Sequence, residues 1–276
     1  MFRTLWKSFH PAVCSLSFYS SSGIRIESLT GFKVKGRYLL TDSCIFNMSK
    51  AETVKLTFFQ ANGHKERLVI EMTYETFLNA NLAQYNGEVV LPFALIALDD
   101  ERFSSIPSLE LSANMGEPIG STLAILGYHA KNNNLTIRSG MLSSYCEKSD
   151  GREYIQFDSS VVQGSGGAPV IDIETGTVTG MVGCRLAALS QSYKQLKQIL
   201  SNNITILKKS QGKFMVHEVD PVQVLIANQN QIKFLADEMF KTANISVGYA
   251  LKINYVIDFL QKIEKNLRSK RTQYGA

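Results

Sequence analysis

Gln156-Phe157-Asp158-Ser159-Ser160-Val161-Val162-Gln163-Gly164-Ser165-Gly166-Gly167-Ala168-Pro169-Val170 is the stretch on which the reading of this 276-residue chain turns. Three glycines and a hydroxyl fall within four positions, and an apolar strand follows at 177–183. Glycine lets a backbone turn so that successive N–H groups face one point, and such a nest holds an oxyanion, a carboxylate or a carbonyl. A Gly-Ser-Gly-Gly run alone is equally a hairpin without chemistry. What surrounds it decides.

Outward from the loop, the first two-thirds of the chain is a series of short β-branched and aromatic runs broken by Gly, Asn and Ser. The runs are 12–19, 23–27, 30–34, 37–41, 53–59, 67–72, 93–98, 121–127, 135–144, 153–157, 168–173 and 177–183. This is the spacing of an all-β barrel or sandwich, and helical periodicity is absent until about residue 188. Leu189, Tyr193, Leu196 and Leu200 then fall at helical spacing. A hairpin is expected near Gly212, and Asp220-Pro221 is a helix start: Asp accepts an orphan N–H and Pro pre-sets φ. Val222, Leu225, Ile226, Ile232, Leu235 and Met239 form an apolar stripe behind it. The spacing predicts a strand over 247–253 and a helix over 254–276.

Composition is that of a globular protein: 45% hydrophobic, 19% charged, net charge +5. Disordered, collagen-like and coiled-coil classes are excluded. A chain of this length buries roughly 70–75% of its unfolded surface, so its core needs neither disulfide nor metal. Cys14, Cys44, Cys146 and Cys184 are far apart with no C-x-x-C pair, which reads as buried thiols in a reducing compartment. No cofactor is expected. The last fifteen residues carry five cations (Lys262, Lys265, Arg268, Lys270, Arg271) against Glu264, leaving the body nearly neutral. Such a tail attracts nucleic acid or anionic membrane, or is simply solvated. The first ten residues are basic and acid-free, as in a mitochondrial presequence. Because 12–18 alternates like a first strand, a cytoplasmic chain is the expectation.

The loop resembles the nucleophile loop of trypsin-like serine proteases, especially the high-temperature-requirement branch. That pattern has an Asp, five residues, then G-x-S-G-[GA]-P and a strand. Asp158, Gly164 and Gly167-Ala168-Pro169-Val170 match it. Five further blocks resemble the family in order. Gly31–Val34 with Tyr38–Phe46 is similar to the strand, turn and strand ending L-T-x-x-H. Leu91–Leu98 is similar to D-[IL]-A-[LV]-[IL]-x-[VL], and Gly116–Tyr128 to the segment ending G-[YF]-P, with His129 in place of Pro. Ser139–Ser144 is similar to G-[IT]-[VL]-S, and Val247–Asn254 to the closing G-[FY]-A-[IV]-P-[IV]. The resemblance implies a mainly-β, two-barrel chymotrypsin-like fold. It places a first barrel over 1–105, a second over 106–253 with a helical insertion at about 185–245, and a C-terminal helix and basic tail over 254–276.

Carried over block by block, the triad's His position is Cys44, its Asp position Pro92 and its Ser position Gly166. A Ser-His-Asp triad needs a base bonded to the hydroxyl and an acid orienting that base; none of the three groups is present. A register shift that makes Ser165 the nucleophile puts Gln163 where the first oxyanion glycine belongs and supplies no base. Cys44 has no base or cation beside it in sequence and reads as a small hydrophobe. His10 precedes the first strand, His64 sits in a turn, His129 ends a strand and His217 lies in the insertion.

What the resemblance then implies is an inactive homologue that binds a protein or peptide. Gly164, Ser165, Gly166 and Gly167 keep an oxyanion-hole-like loop, and Asp158 and Ser160 stand where the family builds its pocket. The bland reading of Asp158 is a loop-stabilising side-chain hydrogen bond. Two other classes remain: an active peptidase using Ser165 with a non-standard base, and a basic-tailed adaptor for nucleic acid or membrane. The insertion is expected either to cover the cleft with Val222, Leu225, Ile226, Ile232 and Leu235, or to present a partner surface.

Overall fold

The computed structural model describes residues 1–83, 91–114, 116–148, 150–183, 187–213, 215–217, 219–242 and 247–274. Contacts divide it into one unit of Met1–Cys184 with Ser246–Ala276 and another of Arg185–Ile245. Among the described residues no helix is long and apolar enough to cross a membrane.

The first unit holds two antiparallel sheets. Val13–Tyr19 (β1), Arg25–Lys33 (β2), Tyr38–Asp42 (β3), Thr53–Phe59 (β4), Glu66–Thr73 (β5) and Phe93–Ala97 (β6) are hydrogen-bonded in the order β5-β4-β1-β2-β3-β6. Thr122–His129 (β7), Asn134–Glu147 (β8), Glu153–Phe157 (β9), Pro169–Asp172 (β10), Val178–Val182 (β11) and Gly248–Lys252 (β12) close into a barrel. In the first sheet the segment that follows β5 returns to border β6, with Ala97 N donating to Ala80 O and Leu82 N to Leu95 O, both at 2.8 Å, whereas the second six strands close on one another directly. β2 is continuous where the sequence suggested two strands, 23–27 and 30–34; its pairing with β1 runs unbroken from Val13↔Phe32 to Phe18↔Glu27.

Period-two alternation sorts side chains into three cores. Cys14, Leu16 and Phe18 of β1 face Leu56, Phe58, Ile70 and Phe77 inside the first sheet. Leu123, Ile125, Leu142, Phe157 and Val170 fill the closed barrel. The third core joins the two sheets: Val13, Phe32, Leu40 and Phe93 meet Leu126, Tyr128, Val178 and Met181. Lys33, buried at the end of β2, donates to the carbonyls of Phe103 (2.8 Å) and Ile106 (2.7 Å) and so pins the segment that leads from one sheet to the other.

Helices occur earlier than periodicity suggested. Phe2–Phe9 is a helix (α1), and Phe2, Leu5, Trp6 and Phe9 lie on the face that packs against the inter-sheet core. Trp6 Nε1 donates to Ala61 O at 2.7 Å, and its ring stacks on His10. Tyr74–Asn79 (α2) and Glu101–Ser104 (α3) are short caps on the first sheet. Of the remaining helices, Ala187–Lys208 is α4, Pro221–Thr242 is α5 and Asn254–Tyr274 is α6. α6 buries Val256 in the inter-sheet core and sets Phe259 edge-on to Phe93. Lys262 and Lys265 are exposed on it; the side chains of Arg268, Lys270 and Arg271 lie outside the described residues, as does Cys184.

The second unit is the α4–α5 pair. Asp220 caps α5 as its sequence promised, accepting from Val222 N (2.8 Å) and, through its other oxygen, from Gly212 N (2.7 Å). Asp237 receives Tyr193 Oη and Lys197 Nζ, tying the two helices together. The less exposed positions recur at spacings of three and four: Tyr193, Lys197, Leu200, Ile204 and Leu207 on α4, and Val222, Ile226, Gln229, Lys233 and Ala236 on α5. The expected burial of the whole α5 stripe is corrected here, since Leu225 (49%), Ile232 (45%), Leu235 (57%) and Met239 (70%) are exposed. Val222 and Ile226 take the seam between the helices, and the other four belong to the next row around the helix. The strands on either side of this unit pair directly, Val182 opposite Ala250.

Candidate functional site

Three segments converge on one corner of the first unit. β3 ends at Asp42, whose carboxylate caps a 3-10 turn over Ser43–Asn47 by accepting from Cys44 N at 2.7 Å. β6 begins at Phe93, paired with Asp42, and Pro92 O accepts from Ser43 N at 3.4 Å. Cys44 and Pro92 are thereby neighbours. Cys44 is half-buried against the core of the first sheet, as a small hydrophobe would be.

The third segment is the glycine loop between β9 and β10. Ser165 N donates to Val162 O and Ala168 N to Ser165 O, each at 3.0 Å, which makes two consecutive turns. Gly164 and Gly167 have φ of +97° and +83°, in the region that L side chains rarely adopt. A Cβ on Gly167 would lie 2.2 Å from Thr30 O and 2.9 Å from Asp42 N, so the loop is pressed onto β2 and β3. Thr30 fastens it: its N donates to Gly166 O (2.8 Å), and its Oγ1 donates to Gly164 O (2.6 Å) while accepting from Tyr128 N (2.9 Å). Thr41 Oγ1 in turn donates to Thr30 O at 2.7 Å. Cys44, Pro92 and Gly166 are thus brought to the same corner by the backbone.

Among the described residues, the N–H groups of Gly164 and Gly166 have no acceptor, although both glycines are buried. Buried backbone donors are ordinarily paired, so these two N–H groups are exceptions within the loop. Ser165 is not presented with them. It is 2% exposed, and a Cβ on Gly127 would lie 2.8 Å from its Oγ, so its hydroxyl is turned onto β7. No histidine among the described residues bonds to Ser165 or Cys44. His10 Nδ1 is 2.7 Å from Trp6 O, His64 Nδ1 is 3.3 Å from Asn62 O, and His129 Nδ1 accepts from Asn132 N.

Of the two pocket residues, Asp158 is exposed and its Oδ1 accepts from Met141 N, while its own N donates to Met141 O at 3.1 Å. Its carboxylate and its backbone N–H thus continue the pairing of β9 with β8 one residue beyond Phe157, a cross-strand tie and not a local turn. Ser160 contributes its carbonyl, which accepts from Arg138 Nη1 at 2.8 Å. Burial pushes the Arg138 guanidinium below its ordinary pKa. The sequence reading passed over Thr30, Thr41 and Arg138. Each sits within a strand as an unremarkable polar residue, and only the loop lying across it gives it a role.

The chain's residues 29–181 match the family model described as a trypsin-like peptidase domain. No curated protein sequence matches the chain. Among solved structures, the active form of the Rv3671c protease from M. tuberculosis aligns over 95% of this chain and 85% of its own, at 15% identity and TM-score 0.54. The inactive form of the same protease aligns over 95% and 93%, with TM-score 0.52. An HtrA-type protease with a tripeptide aligns over 66% of this chain at 18% identity and TM-score 0.49, and the chain spans 54% of that protein's length. At these identities the Rv3671c likeness is one of fold.

Proposed function

The chain belongs to the trypsin-like peptidase family and has its mainly-β chymotrypsin-like fold, and on that premise we propose that it is a catalytically inactive member that acts by binding a protein or peptide. The observation that carries this is the shared corner of Cys44, Pro92 and Gly166. Where the family's base, orienting acid and nucleophile would stand, there is a thiol packed on a core, an imino acid and a residue with no side chain. Acyl transfer requires a proton to leave the nucleophile for a base held in the right tautomer, and these three residues provide neither nucleophilic hydroxyl nor imidazole. Binding asks for less. The two unpaired N–H groups of Gly164 and Gly166 can donate to a peptide carbonyl without any reacting group, and the glycines that shape them are intact.

The test is turnover. Casein and small amide substrates are expected to show no hydrolysis above background, and a serine-reactive fluorophosphonate no labelling. Removal of triad members from an active enzyme leaves only residual catalysis. Turnover by the wild-type chain that disappears in Ser165→Ala would overturn the proposal and assign the nucleophile to Ser165.

A further inference from the structure

Strands β7 and β8 pair with Ile125 opposite Arg138, Gly127 opposite Thr136 and Leu123 opposite Gly140. Alternation therefore sets Thr136, Arg138 and Gly140 on one face. The loop that follows β9 crosses that face. A Cβ on Gly140 would lie 3.0 Å from Ser159 Cβ, and one on Gly127 3.1 Å from Ser165 Cβ. Arg138 issues from the row between these two glycines, beneath the loop, and reaches Ser160 O. The space that a side chain would take at those two glycines is filled by Ser159 and Ser165, so the loop is seated on the strands on either side of Arg138.

The guanidinium is left short of partners. It carries five N–H donors, and among the described residues only one bond is made, to a neutral carbonyl. No carboxylate among the described residues lies within ion-pair distance of it. Asp158, two residues from Ser160, spends Oδ1 on Met141 N, and Glu27 accepts from Gln163 Nε2 at 3.1 Å. A half-buried cation without a counter-ion is costly, and a ligand carboxylate that pairs with it relieves that cost.

We infer that Arg138 makes the cleft selective for an acidic side chain on the bound peptide. The inference rests on the binding reading above. The peptide backbone meets the N–H groups of Gly164 and Gly166, and a Glu or Asp side chain reaches under the loop to the fork of Arg138. Arg supplies a planar pair of donors that matches a carboxylate, which neither a Gln nor a Lys side chain on the peptide can exploit.

The full chain is titrated into three pools of octapeptides, N-terminally fluorophore-labelled and C-terminally amidated. Each pool fixes Glu, Gln or Lys at one central position with the rest randomised, and binding is read by fluorescence anisotropy. The Glu pool is expected to bind about ten-fold tighter than the Gln pool, and the Lys pool most weakly. Arg138→Gln, checked for folding by circular dichroism, should bring Glu and Gln together, and Arg138→Lys should keep a reduced preference. Equal binding of Glu and Gln pools by the wild type overturns this inference and leaves the binding reading standing. A Glu preference that survives in folded Arg138→Gln also overturns it. Failure of every pool to bind at millimolar concentration overturns the binding reading, and this inference with it.

Discussion

Gly167 and Thr30 show how single residues hold the corner. Gly167 combines a positive φ with backbone 2.2 Å from any added Cβ, whereas Gly36 has a positive φ and open space around it. Gly36→Ala isolates the cost of conformation, about 1 kcal/mol, and Gly167→Ala is expected to lose at least about 2 kcal/mol more. Chemical denaturation of the two variants gives the comparison, and equal losses would mean that the loop is not seated on β2. Thr30→Val keeps shape but strips a hydroxyl that serves Gly164 O and Tyr128 N at once. Two buried groups lose their partner, at roughly 1–3 kcal/mol each. Lys33 gives a pH signature. Burial lowers its pKa in the folded chain below the usual 10.5, so on raising the pH the native state releases this proton before the unfolded state does. Stability from this group therefore rises between the folded value and 10.5. The difference between wild type and Lys33→Met, followed by urea melts across that window, should shift in the wild type's favour. At this scale the sequence announced the glycines, because positive φ and close approach restrict a position to one residue type. It left Thr30 and Arg138 silent, because a polar residue in a strand carries no mark of what lies across it.

The elements tell a similar story through periodicity. α5 carries two adjacent apolar rows, Val222 and Ile226 on one and Leu225, Ile232 and Leu235 on the next. At 3.6 residues per turn both satisfy the same helical pattern. Which row faces α4 is decided by the partner, whose own seam centres on Leu200, only 5% exposed. Leu200→Ala is therefore expected to destabilise the helix pair by about 2–5 kcal/mol, and Leu225→Ala or Ile232→Ala by less than about 1 kcal/mol. Hydrogen exchange of α4 and α5 amides reads all three, and a large loss at Leu225 would show that row buried. α1 escaped the pattern for a different reason. Phe2, Leu5, Trp6 and Phe9 do stand at helical spacing, but eight residues beside a strong strand signal make a short and easily overlooked run.

For the molecule as a whole, the order of six short blocks was a better guide to the fold than any one of them, because it fixes which strands enclose which core. Nothing in that order speaks for residues 185–245, which form a unit of their own. Their points of attachment say more. Gly183 N donates to Tyr249 O at 3.1 Å, and Val182 sits opposite Ala250, so the barrel closes immediately behind the insertion. For strands β11 and β12, the two helices are an oversized hairpin turn. Replacing 185–245 by a four-residue Gly-Asn turn should leave the body folded, with its near-ultraviolet circular dichroism retained. It should also lower the entropy of closing β11 on β12 by roughly 2 kcal/mol, since that cost grows only with the logarithm of length. Loss of the folded body on excision would make the helices part of the scaffold. The same logarithm makes this junction a port: a reporter domain or an affinity handle whose ends lie a hairpin's width apart can be spliced in there without asking the barrel to refold around it.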